Sequence, residues 1–230
     1  MQISKKMHEA VTTLERDLAL LNTQYHNLTP EERLAAVFQD FDKVLVTSSF
    51  GSTSLILLDM IARVKPGHPV WFINTGFHFK ETLYYKDMVA ECINLQIAEL
   101  RPENWRHELT ASERMWESHP DLCCSVNKVE PLEEAKAAHE VWISGLMGWQ
   151  ADSRKDKALF EQRDTIIKFH PIIDMSGEEV RKRVKNLGIP QHPLLARGFE
   201  SIGCTHCTQA GKSRSGRWQG KSKTECGLHW

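Results

Sequence analysis

The residues best suited to chemistry crowd the last thirty positions, SIGCTHCTQAGKSRSGRWQGKSKTECGLHW, which hold three of the chain's six cysteines. Cys204 and Cys207 form a C-x-x-C pair, a half-site for a metal or a cluster. Cys123 and Cys124, adjacent in sequence, bring the set to four thiolates, enough for tetrahedral zinc or an iron–sulfur cluster. Neighbouring side chains diverge, so a vicinal pair fits one zinc ion poorly, whereas a [4Fe–4S] cubane offers each cysteine its own iron corner. The pattern favours the cluster over zinc. It also favours ligand roles for Cys123 and Cys124 over two small buried apolar residues. Cys226 is left over. Arg214, Arg217, Lys221, Lys223 and His229 lie near it in sequence, a cationic setting that stabilises both a thiolate and an anionic substrate. The competing reading is a surface thiol on a frayed end. Cys92, on an amphipathic helix, reads as core.

The elements that must position these residues begin with a helical pattern over residues 2–26. A second helix is predicted from Pro30 to Asp40, opened by Thr29-Pro30-Glu31-Glu32 with a capping hydroxyl and Pro at the first position. Both read as an N-terminal cover over residues 1–40. Lys43–Thr47 is a strand that ends in the hydroxyl-rich turn Ser48-Ser49-Phe50-Gly51-Ser52-Thr53-Ser54, followed by the apolar helix from Leu55. Such a turn offers N–H groups, hydroxyls and a helix N-terminus to an anion, or else simply caps the helix. A second strand, Val70–Ile73, ends in Asn74-Thr75-Gly76 before a helix over Lys80–Cys92. Further strands are predicted at Ile93–Ala98, Val141–Leu146 and Thr165–Phe169, and a capped helix opens at Ser176 and stops near Gly188. Strand alternating with helix implies a parallel α/β sheet with helices on both faces and a nucleotide-sized ligand at the strand ends. Residues 41–200 form this nucleotide-binding unit, and 201–230 an irregular cysteine-bearing segment of the same domain.

The totals set bounds. With 230 residues and a formal net charge of −1, the chain has no bulk attraction for nucleic acid, so any anion site must be local. No run reaches the roughly 18 apolar residues of a membrane span, and the N-terminus lacks a signal-peptide core. Six cysteines without a secretory signal lead us to expect reduced thiols in a cytoplasm.

Taken together, these motifs resemble the assimilatory adenylyl-sulfate and phosphoadenylyl-sulfate reductases over roughly Val44 to His229. The residues that carry the resemblance are SSFG (Ser48–Gly51), TGFHFKET (Thr75–Thr82) and CCSVNKVEPL (Cys123–Leu132). WISG with a following Gln and Arg (Trp142–Arg154), GFESIGCTHCT (Gly198–Thr208), Arg214 with Arg217, and ECGLH (Glu225–His229) complete the set. The resemblance implies an adenine-nucleotide α-hydrolase-like sheet and a substrate, adenosine 5′-phosphosulfate, lying across the strand ends. It implies that Cys226 attacks the sulfur, expels AMP and carries an S-sulfo group that a thioredoxin or glutaredoxin thiol releases as sulfite. By the match, Ser48, Ser49, Phe50, Gly51, Thr75, Gly76 and Gly145 contact the nucleotide. Lys128, Arg154, Arg214 and Arg217 supply cations, and His229 stands beside the nucleophile. The cluster is expected to shape the site's electrostatics and order the cysteine loops. Self-association is an open expectation; nucleic-acid and membrane partners are not expected.

The chain departs from the family at Asn74 (commonly Asp), Lys80 (Pro) and Asn127 (Arg in cluster-containing members). It also departs at Met147-Gly148-Trp149, where basic residues are common, and at Thr53-Ser54, where the adenylyl-sulfate enzymes commonly have Glu-Asp. Two cysteine pairs argue for the unphosphorylated substrate; Asn127 and the hydroxyl turn argue for tolerance of a 3′-phosphate. An ATP-dependent sulfur transferase and a non-catalytic iron–sulfur sensor are the competing functions on this fold.

Overall fold

The computed structural model describes residues 18–221, 223 and 225–228. His229 and residues 2–17 of the predicted first helix lie outside the described residues. Six strands form one sheet in the order β3-β2-β1-β4-β6-β5. They are β1 (Val44–Ser48), β2 (Pro69–Ile73), β3 (Gln96–Leu100), β4 (Val141–Ile143), β5 (Phe160–Arg163) and β6 (Ile166–Phe169). All neighbours pair in parallel except β5 with β6. The chain moves outward from β1 through β2 to β3, then returns to place β4 on the other side of β1. The crevice beyond the C-terminal ends of β1 and β4 is therefore the topological switch point, where open α/β sheets bind ligands.

Alternation along each strand builds a core on both faces. Val44, Val46, Val141, Ile143 and Phe169 join the larger cluster with the apolar helix α3 (Leu55–Val64). Leu45, Trp142 and Ile166 point the other way, against Leu132 and Ala135 of α8 (Glu130–Lys136). Helix α3 buries Leu55, Ile56, Leu57, Leu58, Met60 and Ile61, each worth about 1.5–3 kcal/mol when fully removed from water. These residues hold the hydroxyl turn at the sheet end.

Residues 18–26 (α1) are helical and cover the sheet edge. The Asn22 side chain donates to the Phe160 carbonyl and accepts its N–H (3.0 and 2.9 Å), so it stands in for a missing strand neighbour. Helix α2 spans Pro30–Asp40 as predicted and carries the full capping box at Thr29 and Glu32. Helix α4 (Lys80–Cys92) also has its predicted bounds, but Cys92 is exposed rather than core, closing the last turn on the solvent side. Strand β3 starts three residues later than predicted, because Ile93–Leu95 wrap the helix end through Asn94 at φ +52. Strand β4 stops at Ile143, not Leu146, where the chain bends into the site. The edge strand β5 was not predicted; it pairs antiparallel with β6 across a turn at Asp164, φ +49. Between β3 and α8 lie α5 (Asn104–Ser112), α6 (Met115–Ser118), α7 (Pro120–Cys124) and a π turn over Ser125–Val129. Helix α9 (Gly177–Asn186) has half of its capping box: the Ser176 hydroxyl accepts the Glu179 N–H, while the Glu179 carboxylate turns to Arg183. After it the chain is irregular, held by short 3-10 turns and isolated bridges. No helix among the described residues is long and apolar enough to cross a membrane.

Candidate active site

A cavity of about 690 Å³ opens at the switch point, within the usual range for a small-molecule site. Its floor is the turn after β1. Ser48, Ser49, Gly51, Ser52, Thr53 and Ser54 line it. Ser54 makes no side-chain cap to α3, so the helix-cap reading of this turn lacks its hydrogen bond. Phe50 does not line the cavity. Its backbone is left-handed (φ +48), and its ring is fully buried edge-on to Phe72, which anchors the turn in the core. Thr75 lines the wall; Gly76 does not. Gly76 instead lets the chain pass the His107 ring, where a Cβ would fall 2.5 Å from Cε1, at φ +73. Gly145, after β4, lines the opposite wall with Ser144 and Leu146, and Leu57, Ile172, Val180 and Val184 add an apolar side.

Lys128, Arg154, Arg214, Arg217, Cys204 and Cys226 all reach this cavity, although they come from three distant segments. The C-terminal segment is stitched to the β2 turn by the His78–Cys204 bridge and by the Thr205 N–H donating to Phe77 O (2.8 Å). Arg217 lies against the Trp218 ring (4.3 Å), its Nε buried without a hydrogen-bond partner among the described residues. Arg154 and Arg214 differ from it: both hold the carboxylate of Glu225, which is 1% exposed.

Cys123, Cys124, Cys204 and Cys207 line one small neighbouring cavity, together with Asn127 and Lys128 and under Phe77, Trp116 and His206. Trp116 and His206 stack at 3.8 Å over it. The π turn after Cys124 brings Lys128 back to the thiols. Burial pushes the Cys123 thiol up to about 12, helped by the other three thiols, and raises Cys124 and Cys207 as well. Cys204 goes the other way. Burial opposes its charge, but Lys128, the Thr75 hydroxyl (3.5 Å) and Arg217 hold it below the usual thiol range. Burial likewise opposes the Lys128 charge, yet Cys204, Cys226 and Cys124 overrule it and hold its pKa up. Among the described residues, no three His, Cys, Asp or Glu side chains converge on a single ion. Cys123, Cys124 and Cys204 are buried and Cys207 is half-buried around one cavity, a four-thiol donor set of the kind that could hold a metal ion or a multinuclear group.

Asn127 is a structural partner of the cysteines. Its amide donates to Thr110 Oγ1 and to the Cys123 carbonyl (both 2.9 Å), which leaves its oxygen to accept from His107 Nδ1 (2.8 Å). Sequence reasoning missed His107, Gln150, Lys168 and the role of Glu225. Gln150 and Glu225 stood within quoted motifs; His107 and Lys168 had no signal of their own.

The hydroxyl-lined cavity at the switch point belongs to the adenine-nucleotide α-hydrolase-like class of α/β folds. An FMN adenylyltransferase from Candida glabrata, 12% identical, matches over 84% of this chain and 71% of its own with a TM-score of 0.54, a likeness of fold alone. Within that class, the chain belongs to the family described as the phosphoadenosine phosphosulfate reductase domain, which matches residues 43–210. A phosphoadenosine 5′-phosphosulfate reductase from Gloeobacter violaceus is 39% identical over 95% of this chain and 94% of its own. An adenosine 5′-phosphosulfate reductase from Bacillus mycoides is 41% identical over 82% of this chain and 85% of its own. Among solved structures, phosphoadenylyl-sulfate reductase from Candida auris, in a phosphate complex, has a TM-score of 0.71 at 27% identity, covering 84% of this chain and 96% of that one.

Proposed function

We propose that the chain reduces adenosine 5′-phosphosulfate to sulfite and AMP in sulfate assimilation, with thioredoxin or glutaredoxin as reductant. The observation that carries this reading is the meeting of Cys226, Lys128 and Arg217 in the hydroxyl-lined cavity. The hydroxyl turn binds the nucleotide phosphate, and the apolar wall takes the base. The Cys226 thiolate attacks the sulfonyl sulfur. The S–O bond to the phosphate breaks, AMP leaves with the electron pair, and Cys226 carries the S-sulfo group. Lys128 and Arg217 offset the charge on the sulfonyl oxygens as it grows. A dithiol then attacks Cys226 Sγ, releasing sulfite and closing its own disulfide, so two electrons pass from dithiol to sulfur. Cys123, Cys124, Cys204 and Cys207 hold a [4Fe–4S] cluster, which supplies fixed charge and orders the cysteine loops.

A second substrate form has its own support. The Arg181 and Lys185 side chains of α9 line the same cavity without a hydrogen bond or ion pair among the described residues, which favours an extra phosphate on the ribose.

The test is an anaerobic single turnover without thioredoxin, using radiosulfur-labelled adenosine 5′-phosphosulfate and, separately, its 3′-phosphorylated form. Wild type should gain thiol-labile label, with adenosine 5′-phosphosulfate the faster donor. Cys226→Ser should gain none yet keep the cluster's brown colour. No label from either nucleotide on iron-replete protein would end the reductase reading.

A further inference from the structure

Glu225 and Leu228 bracket Cys226, and each is gripped from the body of the protein. The Glu225 carboxylate accepts from Arg154 Nε (3.0 Å) and from Arg214 Nη2 (2.9 Å) and pairs with Arg154 Nη2 at 2.8 Å, the Glu225 and Arg154 side chains being 2% and 6% exposed. On the other side of Cys226, the Leu228 carbonyl accepts from Lys168 Nζ (2.8 Å). Lys168 lies 4.2 Å over the Trp142 ring, and the Leu228 side chain packs into the cluster that contains Trp142. Arg154 has its remaining edge committed as well. Its Nη1 donates to Gln150 Oε1 (2.7 Å), and Gln150 Nε2 donates to Thr53 Oγ1 (3.1 Å) in the hydroxyl turn. A hydrogen-bonded chain thus runs Thr53–Gln150–Arg154–Glu225 and ends beside Cys226.

From this geometry we infer that Arg154 and Lys168 are positioning residues that dock the C-terminal segment on either side of Cys226, and that Arg154 acts on the reaction through Glu225 rather than as a ligand of the nucleotide. The inference rests on the reductase reading for the role of Cys226, and it reassigns Arg154 from the substrate to the tail. An arginine that serves substrate needs a donor edge open to the cavity and a charge left unmatched. Arg217 meets that description; Arg154, matched to a buried carboxylate, does not.

The experiment compares Arg154→Met, Lys168→Met and Glu225→Gln with wild type, all as full-length anaerobic protein. Three quantities are read: AMP affinity by calorimetry, the rate at which iodoacetamide alkylates Cys226, and single-turnover labelling. Exposed Cys92 serves as the internal standard for alkylation. The dock predicts unchanged AMP affinity in all three variants, which also reports an intact fold. It predicts Cys226 alkylated roughly fivefold faster or more, and label formation slowed by roughly tenfold or more, as expected when a nucleophile is misplaced by an ångström or so. Glu225→Gln should move these in the same direction as Arg154→Met. Arg154→Met with AMP affinity lost tenfold and Cys226 alkylation unchanged would overturn the inference and return Arg154 to the nucleotide. If wild type itself takes no label, the reductase reading fails, while alkylation and AMP affinity still decide the dock.

Discussion

Gly203 leaves no room for a side chain. A Cβ there would fall 2.4 Å from Arg217 Nη2 and 2.6 Å from Cζ, so the absence of a side chain sets where the guanidinium stands. Gly203→Ala should therefore reproduce much of Arg217→Ala without touching a charge. Measured by calorimetry on a Cys226→Ser background, to prevent turnover, both changes should weaken binding of the nucleotide phosphosulfate by about 1.5–3 kcal/mol, the range for a hydrogen bond to a charged group. Gly203→Ala binding as tightly as its parent would show that Arg217 is not held by this contact. At this scale the sequence singled out rare residues at fixed spacing that the fold does bring together, the four cysteines around one small cavity and Cys226 in the neighbouring one. Two motif residues lie outside the cavity lining: Phe50 anchors the turn in the core, and Gly76 clears His107. The sequence was silent on Glu225 meeting Arg154, because the two are 71 positions apart and nothing local records the pairing.

Caps and turns decide where the elements stop. The 3-10 turn Pro193–Arg197 is capped by His192, whose Nδ1 accepts the Leu194 N–H (3.2 Å) and whose Nε2 meets Thr82 Oγ1 (3.0 Å). The first contact calls for the neutral ring, since only an unprotonated Nδ1 accepts, and burial lowers the ring's pKa to about 4, with Glu81 opposing weakly. The ring binds its proton more readily in the unfolded chain, near pH 6.5. Stability is therefore full above about pH 6.5 and is lost as pH falls toward 4, by an amount on the order of 1–3 kcal/mol. Urea melts at pH 7.5 and 4.5 should show the loss in wild type and a smaller one in His192→Asn, whose amide oxygen can still accept the cap. Equal losses would clear His192. Helix α2 was legible from its capping box and its Pro at the first turn, α4 from its run of helix formers after the β2 turn, and β1 from its compact β-branched run. Strand β5 was not, since Glu-Gln-Arg carries no apolar alternation and owes its pairing to β6. The π turn after Cys124 follows from tertiary packing, and no pattern in SVNKV distinguishes it from an ordinary helix.

The cavity as a whole is closed by two segments far apart in the chain: the turn after β1 and the irregular segment beyond α9. A ligand there should stabilise both at once. At a hundredfold excess over its dissociation constant, AMP should add about 2.7 kcal/mol to unfolding. Hydrogen exchange should slow in residues 48–54 and in residues 198–218 together. Protection confined to the first turn would mean that the C-terminal segment does not share the nucleotide. Lys128 gives this closure a further consequence, because it borders both the nucleotide cavity and the thiol cavity. One ammonium is then held in common by two chambers, and an anion in either draws on the same charge. Such coupling is reciprocal: whatever factor a bound nucleotide applies to the ionisation of the thiols, the thiols apply to the nucleotide's affinity. The two chambers therefore keep a single electrostatic account, and a change written in one is legible from the other.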